Sequence, residues 1–234
     1  ADNHLGEDVA LKLLPDDLNF DPVALDDLKR ETLKARKLTH KNIIRVHDFY
    51  SGDGDAPFIS MEHVEGMDMA GLSLHQNDRI FSWEGLKPVI EQLCDALGYA
   101  HDSKTIHRDI KPSNILIDQN GQIKLTDFGI AATAHDSMSR ITQTMKISGT
   151  LSYMSPQQLD GRAPKRTDDI YAIGATIFDL LTSKPPFYTG DLPHQIRNLE
   201  PIPMKERLED LEIEAAIPDA IEALVRKCLS KDPA

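Results

Sequence analysis

Two short stretches constrain this chain more than anything else in it: Ile106-His-Arg-Asp-Ile-Lys-Pro-Ser-Asn-Ile-Leu116 and Lys124-Leu-Thr-Asp-Phe-Gly129. They place Asp109, Lys111, Asn114 and Asp127 within one short span. Between Asn114 and Asp127 lie two β-type runs, Ile115-Leu-Ile117 and Ile123-Lys-Leu125. Asp118-Gln-Asn-Gly121 joins them and carries an Asn-Gly turn signal. A hairpin there brings the two ends of the span side by side. Two acids and an amide then face one place, a donor set suited to Mg²⁺ and a phosphate chain.

His107-Arg-Asp-Ile-Lys-Pro-Ser-Asn114 followed by Asp127-Phe-Gly129 resembles the catalytic core of a eukaryotic-like Ser/Thr protein kinase. A lone Asp-Phe-Gly occurs by chance in ordinary turns. Both motifs, in this order and with a hairpin between them, are far more specific. The resemblance implies that Asp109 accepts the proton of a substrate hydroxyl and that Lys111 steadies the transferring phosphoryl group. It implies that Asn114 and Asp127 hold Mg²⁺, with ATP as phosphoryl donor and a protein Ser or Thr as acceptor. The implied fold is α+β and two-lobed. Residues 1–64 form an incomplete β-rich N-lobe with helix C and the hinge. Residues 65–234 form a mainly helical C-lobe with the catalytic loop and activation segment.

The 234 residues suit one large domain or two small lobes. Hydrophobic residues at 40% and charged residues at 27% are ordinary for a globular protein. The net charge of -12 argues against a nucleic-acid or anionic-membrane partner. Cys94 and Cys228 sit in apolar helical patterns without metal-ligand spacing, which reads as buried reduced thiols in a reducing compartment. No apolar run is long enough to span a membrane. The expected location is the cytoplasm, as a free protein or as the cytoplasmic part of a larger, membrane-anchored one. The start at Ala1 reads as a fragment beginning inside a loop.

Taken in order, Gly6 to Leu14 reads as a strand in which Val9, Leu11 and Leu13 alternate with Ala10 and Lys12. Val9-Ala-Leu-Lys12 resembles the kinase strand whose lysine contacts the α- and β-phosphates of ATP. A helix is expected over Val23 to Leu38. Glu31 on it resembles the helix-C glutamate, which implies a pair with Lys12. The alternative is a surface acid beside Arg30 or Lys34. Ile43–Tyr50 and Phe58–His63 read as strands around a turn. The second resembles the strand entering the hinge. By that resemblance Met61 guards the back of the adenine pocket, a role compatible with plain core packing. Backbone groups of Glu62 and Val64 then bond the adenine edge, and Asp68 lies near the ribose.

Trp83 to Asp102 is an amphipathic helix leading into the catalytic stretch. His101 and His107 read as structural, His107 beneath Phe128. Gly129 to Pro156 is polar and lacks periodicity. It resembles the activation segment, with Thr150 bonded to Asp109 and Lys111. Arg108 then receives a phosphorylated residue of that segment, for which Thr142 and Thr144 are the chosen candidates. Asp169 opens an apolar helix and, by resemblance, bonds the catalytic-loop backbone; an acid there is also a good cap. Further helices are expected near Leu192–Leu199 and Pro218–Ser230.

The pattern departs from the family in three places. No Gly-x-Gly-x-x-Gly precedes Lys12, Gln157 stands in place of a glutamate, and Leu151 stands where Pro is frequent. The resemblance is nearest to bacterial kinases of this type. The rival readings are a pseudokinase-like binding scaffold and an inactive fragment lacking the glycine-rich lid.

Overall fold

The computed structural model describes residues 8–14, 21–51, 56–128 and 149–233. Strand β1 (Val9–Leu13) pairs antiparallel with β3 (Phe58–Glu62), which places Lys12 opposite Ile59. Strand β2 (Val46–Tyr50) takes the other edge of β3, giving the order β1-β3-β2. Ile59 and Met61 of β3 turn into the core while Ser60 turns outward, the period-two alternation of a half-buried strand. On β1 the alternation runs opposite to its hydrophobicity. Leu11 and Leu13 are exposed, whereas Ala10 and Lys12 are half-buried.

Helix α1 (Pro22–Ala35) starts at Asp21, whose Oδ1 accepts from the backbone N–H groups of Val23 and Ala24. Pro22 loses nothing at the first helical position, where its missing N–H has no partner to bond. The helix buries Ala24, Leu28, Thr32 and Ala35 and packs on β2. It ends three residues short of the expected Leu38, because the N–H of Leu38 turns back to the carbonyl of Ala35.

A second antiparallel sheet, β4 (Gly66–Asp68), β5 (Ile115–Asp118) and β6 (Ile123–Leu125), contains the expected hairpin. Asp118 Oδ1 accepts from the N–H groups of Asn120 and Gln122, both at 2.8 Å, and Gly121 takes a positive φ of 75°. Those backbone bonds, that of Gln122 first, hold the Asp118 carboxyl below its ordinary range. Gly66 lets β4 approach: a Cβ there would lie 2.1 Å from the carbonyl oxygen of Ile117. The bonds Leu125 N–H to Asn42 O and Ile44 N–H to Leu125 O tie this sheet to the N-lobe.

The short α2 (Met69–Ser73) precedes α3 (Trp83–Asp102), whose bounds are as expected. Ser82 caps α3, and Leu86, Val89, Ile90, Leu93, Ala96, Leu97 and Ala100 are buried. Cys94 lies just off that stripe and is exposed, and Cys228 is half-buried, so the expectation of two buried thiols is corrected.

Beyond α4 (Pro156–Leu159), α5 (Arg166–Thr182) is the buried C-lobe helix. It begins three residues before Asp169, because Asp168 Oδ2 accepts from the N–H of Lys165 at 2.8 Å. Asp168 therefore does the capping expected of Asp169. Helices α6 (Leu192–Asn198), α7 (Met204–Asp210) and α8 (Asp219–Cys228) complete the described C-lobe. A Cβ on Gly174 would meet the Cβ of Cys228 at 2.7 Å, so glycine lets α8 close on α5. Helix α7 was not expected. Its signal was Met204 and Leu208, an i, i+4 apolar pair among charges, both buried. Among the described residues no helix is long and apolar enough to cross a membrane.

Candidate active site

The hairpin does what its turn chemistry predicts. The N–H of Thr126 bonds the carbonyl of Asn114 at 2.9 Å, so Asn114 and Asp127 flank one edge. Asn114 Nδ2 donates to the Asp109 carbonyl at 2.7 Å and to Asp109 Oδ2 at 3.0 Å. Lys111 Nζ stands 2.9 Å from the same Oδ2 and donates to Thr150 Oγ1 at 3.0 Å. Asp109 is only 8% exposed, so its carboxylate is held by a cation and an amide in a largely dry place.

The loop bearing Asp109 is anchored from below by α5. Asp169, fully buried, accepts the N–H of His107 at 2.9 Å and that of Arg108 at 2.8 Å. His101 Nε2 shares a 2.7 Å hydrogen bond with it. The His107 ring meets Phe128 edge-on at 4.5 Å and bonds the Thr126 carbonyl through Nε2. Arg108 and Asp127 both take positive φ, 70° and 66°. Such backbone persists where neighbours over-determine it, and it concentrates at functional sites. At Arg108 the neighbours are Asp169 on the N–H and Gln158 Nε2 on the carbonyl, at 2.6 Å. Gln158 belongs to the Ser155-Pro-Gln-Gln158 capping box, a signal that does not announce its bond to Arg108.

A cavity of about 210 Å³ opens beside Asp127, lined by Ala10, Lys12, Met61, Glu62, Val64 and Leu116 among others. It gathers four residues expected from the hinge and strand resemblances together with Asp127. Leu116 and Ala10 face it as unforeseen apolar walls. The Glu62 side chain pairs with Lys124 of β6 at 2.5 Å. Asp68 sits at the start of α2. Its Oδ1 accepts the N–H of Gly71 at 2.7 Å and caps α2, and it does not line the cavity. An acid before a short helix finds the orphan N–H groups closest to hand.

The expected pair of Lys12 with Glu31 is not formed. Lys12 Nζ lies 2.7 Å from Asp127 Oδ1, and Glu31 Oε1 lies 2.5 Å from Lys34 Nζ. An i, i+3 pair on one helix needs no alignment between two elements, whereas the long-range pair requires α1 to close on β1. Here α1 packs on β2 instead. Thr150 takes the expected bond from Lys111 and is buried. Gln157 Nε2 bonds the carbonyl of Lys231 at 2.8 Å, a neutral tie where the resemblance implies an ion pair. Thr142 and Thr144 lie outside the described residues.

The donor chemistry decides which residues can hold Mg²⁺. Asn114 makes its bonds to Asp109 through Nδ2, which leaves Oδ1 as its ligating atom. Asp127 supplies carboxylate oxygen at the mouth of the cavity. Among the described residues no cluster of three or more His, Cys, Asp or Glu could hold a metal alone. Mg²⁺ is typically bound through one or two carboxylates plus substrate phosphates and water, so the donor set fits.

Comparison with known proteins agrees with this geometry. Residues 1–234 match the family described as "Protein kinase domain". A probable serine/threonine-protein kinase PknB of Corynebacterium glutamicum is 35% identical over 241 residues, covering 100% of this chain and 36% of that protein. The serine/threonine-protein kinase PknB of Mycobacterium tuberculosis is 36% identical over 239 residues, covering 99% of this chain and 37% of the relative. The chain thus spans little more than a third of the length of these relatives. A crystal structure of the Mycobacterium tuberculosis PknI kinase domain superposes with a TM-score of 0.72 at 26% identity, over 96% of this chain and 78% of that one. The small β-sheet lobe, the helical lobe and the match along the whole sequence place the chain in the protein kinase domain family, of the bacterial Ser/Thr type.

Proposed function

We propose that the protein bearing this chain transfers the γ-phosphoryl group of ATP to serine or threonine hydroxyls of proteins, with Mg²⁺. The observation that carries this reading is the convergence of Lys111 and Asn114 on Asp109 Oδ2, beside the cavity that holds Lys12 and Asp127. An ionised carboxylate is acceptor-only, so Asp109 is suited to take the proton of an incoming hydroxyl. Lys111, fixed between Asp109 and Thr150, is placed to face the transferred group. Asn114 and Asp127 are the residues that would hold Mg²⁺, which when bound neutralises charge on the phosphate oxygens. Ala10, Met61, Val64 and Leu116 offer apolar faces to a flat base, and the Glu62 and Val64 backbone offers its edge polar groups. Lys12 must leave Asp127 to reach the phosphates. The proposed location is the cytoplasm, where ATP is available.

The test of the nucleotide site is Asp127→Ala, followed by calorimetry of ATP binding to the full-length protein. With Mg²⁺ the affinity is expected to fall about tenfold or more, as for loss of a metal-positioning group. Without Mg²⁺ it should hold or rise slightly, because Lys12 is released from its ion pair. An equal loss in both conditions means the site is misassigned.

Phosphorylation of Thr142 and Thr144, received by Arg108, is the proposed regulation and rests on sequence position. A phosphate adds about -1.5 to -2 charge near neutral pH and pairs well with a guanidinium. Mass spectrometry of the full-length kinase after incubation with ATP and Mg²⁺ should find both sites modified. A Thr142→Ala, Thr144→Ala double mutant should transfer phosphate more slowly; an active wild type bare at both positions retires the idea.

A further inference from the structure

A second cavity, of about 360 Å³, is lined by Lys111 and shares no lining residue with the proposed nucleotide cavity. Lys111, Ser113, Ser152, Tyr153, Lys184 and Tyr188 line most of it. No acidic residue lines it among the described residues, in a chain of net charge -12. Of its two cations, Lys111 is already engaged by Asp109 and Thr150. Lys184 makes no ion pair among the described residues, and its ammonium lies 5.7 Å from the centre of the Tyr188 ring. The acid that acts on it electrostatically, Asp179, is turned to Tyr153, whose hydroxyl donates to Asp179 Oδ2 at 2.6 Å. Burial pushes the Asp179 carboxyl up, while the Tyr153 hydrogen bond and the nearby Lys184 pull it down.

The position of Lys184 is built. Ser183 ends α5 in the left-handed region, with φ 67°. The Thr182 hydroxyl is shared between the carbonyls of Phe178 at 2.7 Å and Lys184 at 3.0 Å. Arg207, buried on α7, donates to the carbonyls of Pro185 and Pro186 at 3.2 and 3.1 Å. Its guanidinium also stacks 5.0 Å from the Tyr188 ring, adding a second positive charge behind that wall. The described residues therefore fix a cation next to the proposed catalytic pair and place no carboxylate on the cavity wall beside it.

We infer that this cavity seats an acidic side chain of the protein substrate, with Lys184 as the specificity-determining residue. The inference rests on the kinase reading above. An acceptor hydroxyl at Asp109 Oδ2 puts the neighbouring substrate residues along Lys111, which belongs to both places. An extended peptide advances about 3.3–3.6 Å per residue, so a side chain a few positions from the acceptor reaches the cavity. A basic side chain would meet Lys111 and Lys184 with no carboxylate among the described residues of the wall. The blander alternative is that Lys184 is a solvated surface amine.

The experiment uses the full-length protein and peptides with one Thr acceptor. Glu, Gln or Lys is placed in turn at each of the four positions before and after it. At one of these positions the wild type should favour Glu over Gln by about tenfold in kcat/KM, the size of a charge-assisted contact, and mainly through KM. The preference should shrink as salt is raised. Lys184→Met should bring the ratio to about one, Lys184→Glu should invert it toward Lys, and Lys184→Arg should keep it. Equal use of Glu and Gln peptides at every position, or an unchanged ratio in Lys184→Met, overturns the inference alone. Failure of the wild type to phosphorylate any peptide or protein overturns the kinase reading, and this inference with it.

Discussion

Asp109→Asn is expected to lower kcat for phosphoryl transfer by about 10²–10⁴, the range a positioned general base contributes. The substitution is nearly isosteric, so the pocket keeps its shape. It replaces an acceptor-only oxygen with an amide that cannot take a proton at neutral pH. Lys111 loses the carboxylate 2.9 Å away but keeps Thr150, and Asn114 keeps the backbone carbonyl of residue 109 at 2.7 Å. The stability cost should therefore stay near ~1 kcal/mol, the net worth of one weakened hydrogen bond. ATP affinity should barely move, because Asp109 does not line the nucleotide cavity. The measurement is γ-phosphate transfer to a generic protein substrate, with thermal unfolding and ATP titration of the same variant. Turnover within a few-fold of wild type would remove Asp109 from the chemistry.

The parts of this molecule legible in its sequence are those decided over a few residues. The Asp118–Gly121 turn was readable because Gly121 tolerates a positive φ and Asp118 bonds the next N–H groups itself. Helix α3 was readable because Ser82 caps it and its apolar residues keep one period along its length. The convergence of Lys111 and Asn114 on Asp109 was readable because all three sit in one span. What failed was selection among partners. Glu31 has a lysine three residues away on its own helix and another on β1, and the helix pair is worth only about a few tenths of a kcal/mol. Sequence could not say that α1 would pack on β2 and leave Lys12 to Asp127. Asp168 and Asp169 are adjacent acids at one helix start; the resemblance assigned Asp169 to the loop backbone, where it is found, but only the tertiary fold gives the capping to Asp168. The cation at Lys184 was invisible for a similar reason. Its meaning depends on Tyr153 drawing Asp179 away, a contact spanning 26 residues.

Asp169→Ala is expected to be the most damaging single change to the fold, at about 3–5 kcal/mol, the cost of breaking a buried charged network by removing one partner. The carboxylate is fully buried and holds three groups: the N–H of His107, the N–H of Arg108 and the His101 ring. Truncation leaves two buried backbone donors without acceptors, at about 1–3 kcal/mol each. It also releases Arg108, whose left-handed backbone Asp169 helps to impose, and Asp109 is the next residue. Stability and phosphoryl transfer should therefore fall together, unlike the outcome for Asp109→Asn. A loss of this size is a large share of the roughly 5–15 kcal/mol that stabilises a domain, so denaturant unfolding is the direct measure. Asp169→Asn keeps one oxygen for one of the two N–H groups and turns its amide toward the other, so it should cost less but still weaken activity. If both variants unfold at the wild-type midpoint, the anchor beneath the catalytic loop is not what holds Arg108 and Asp109 in place.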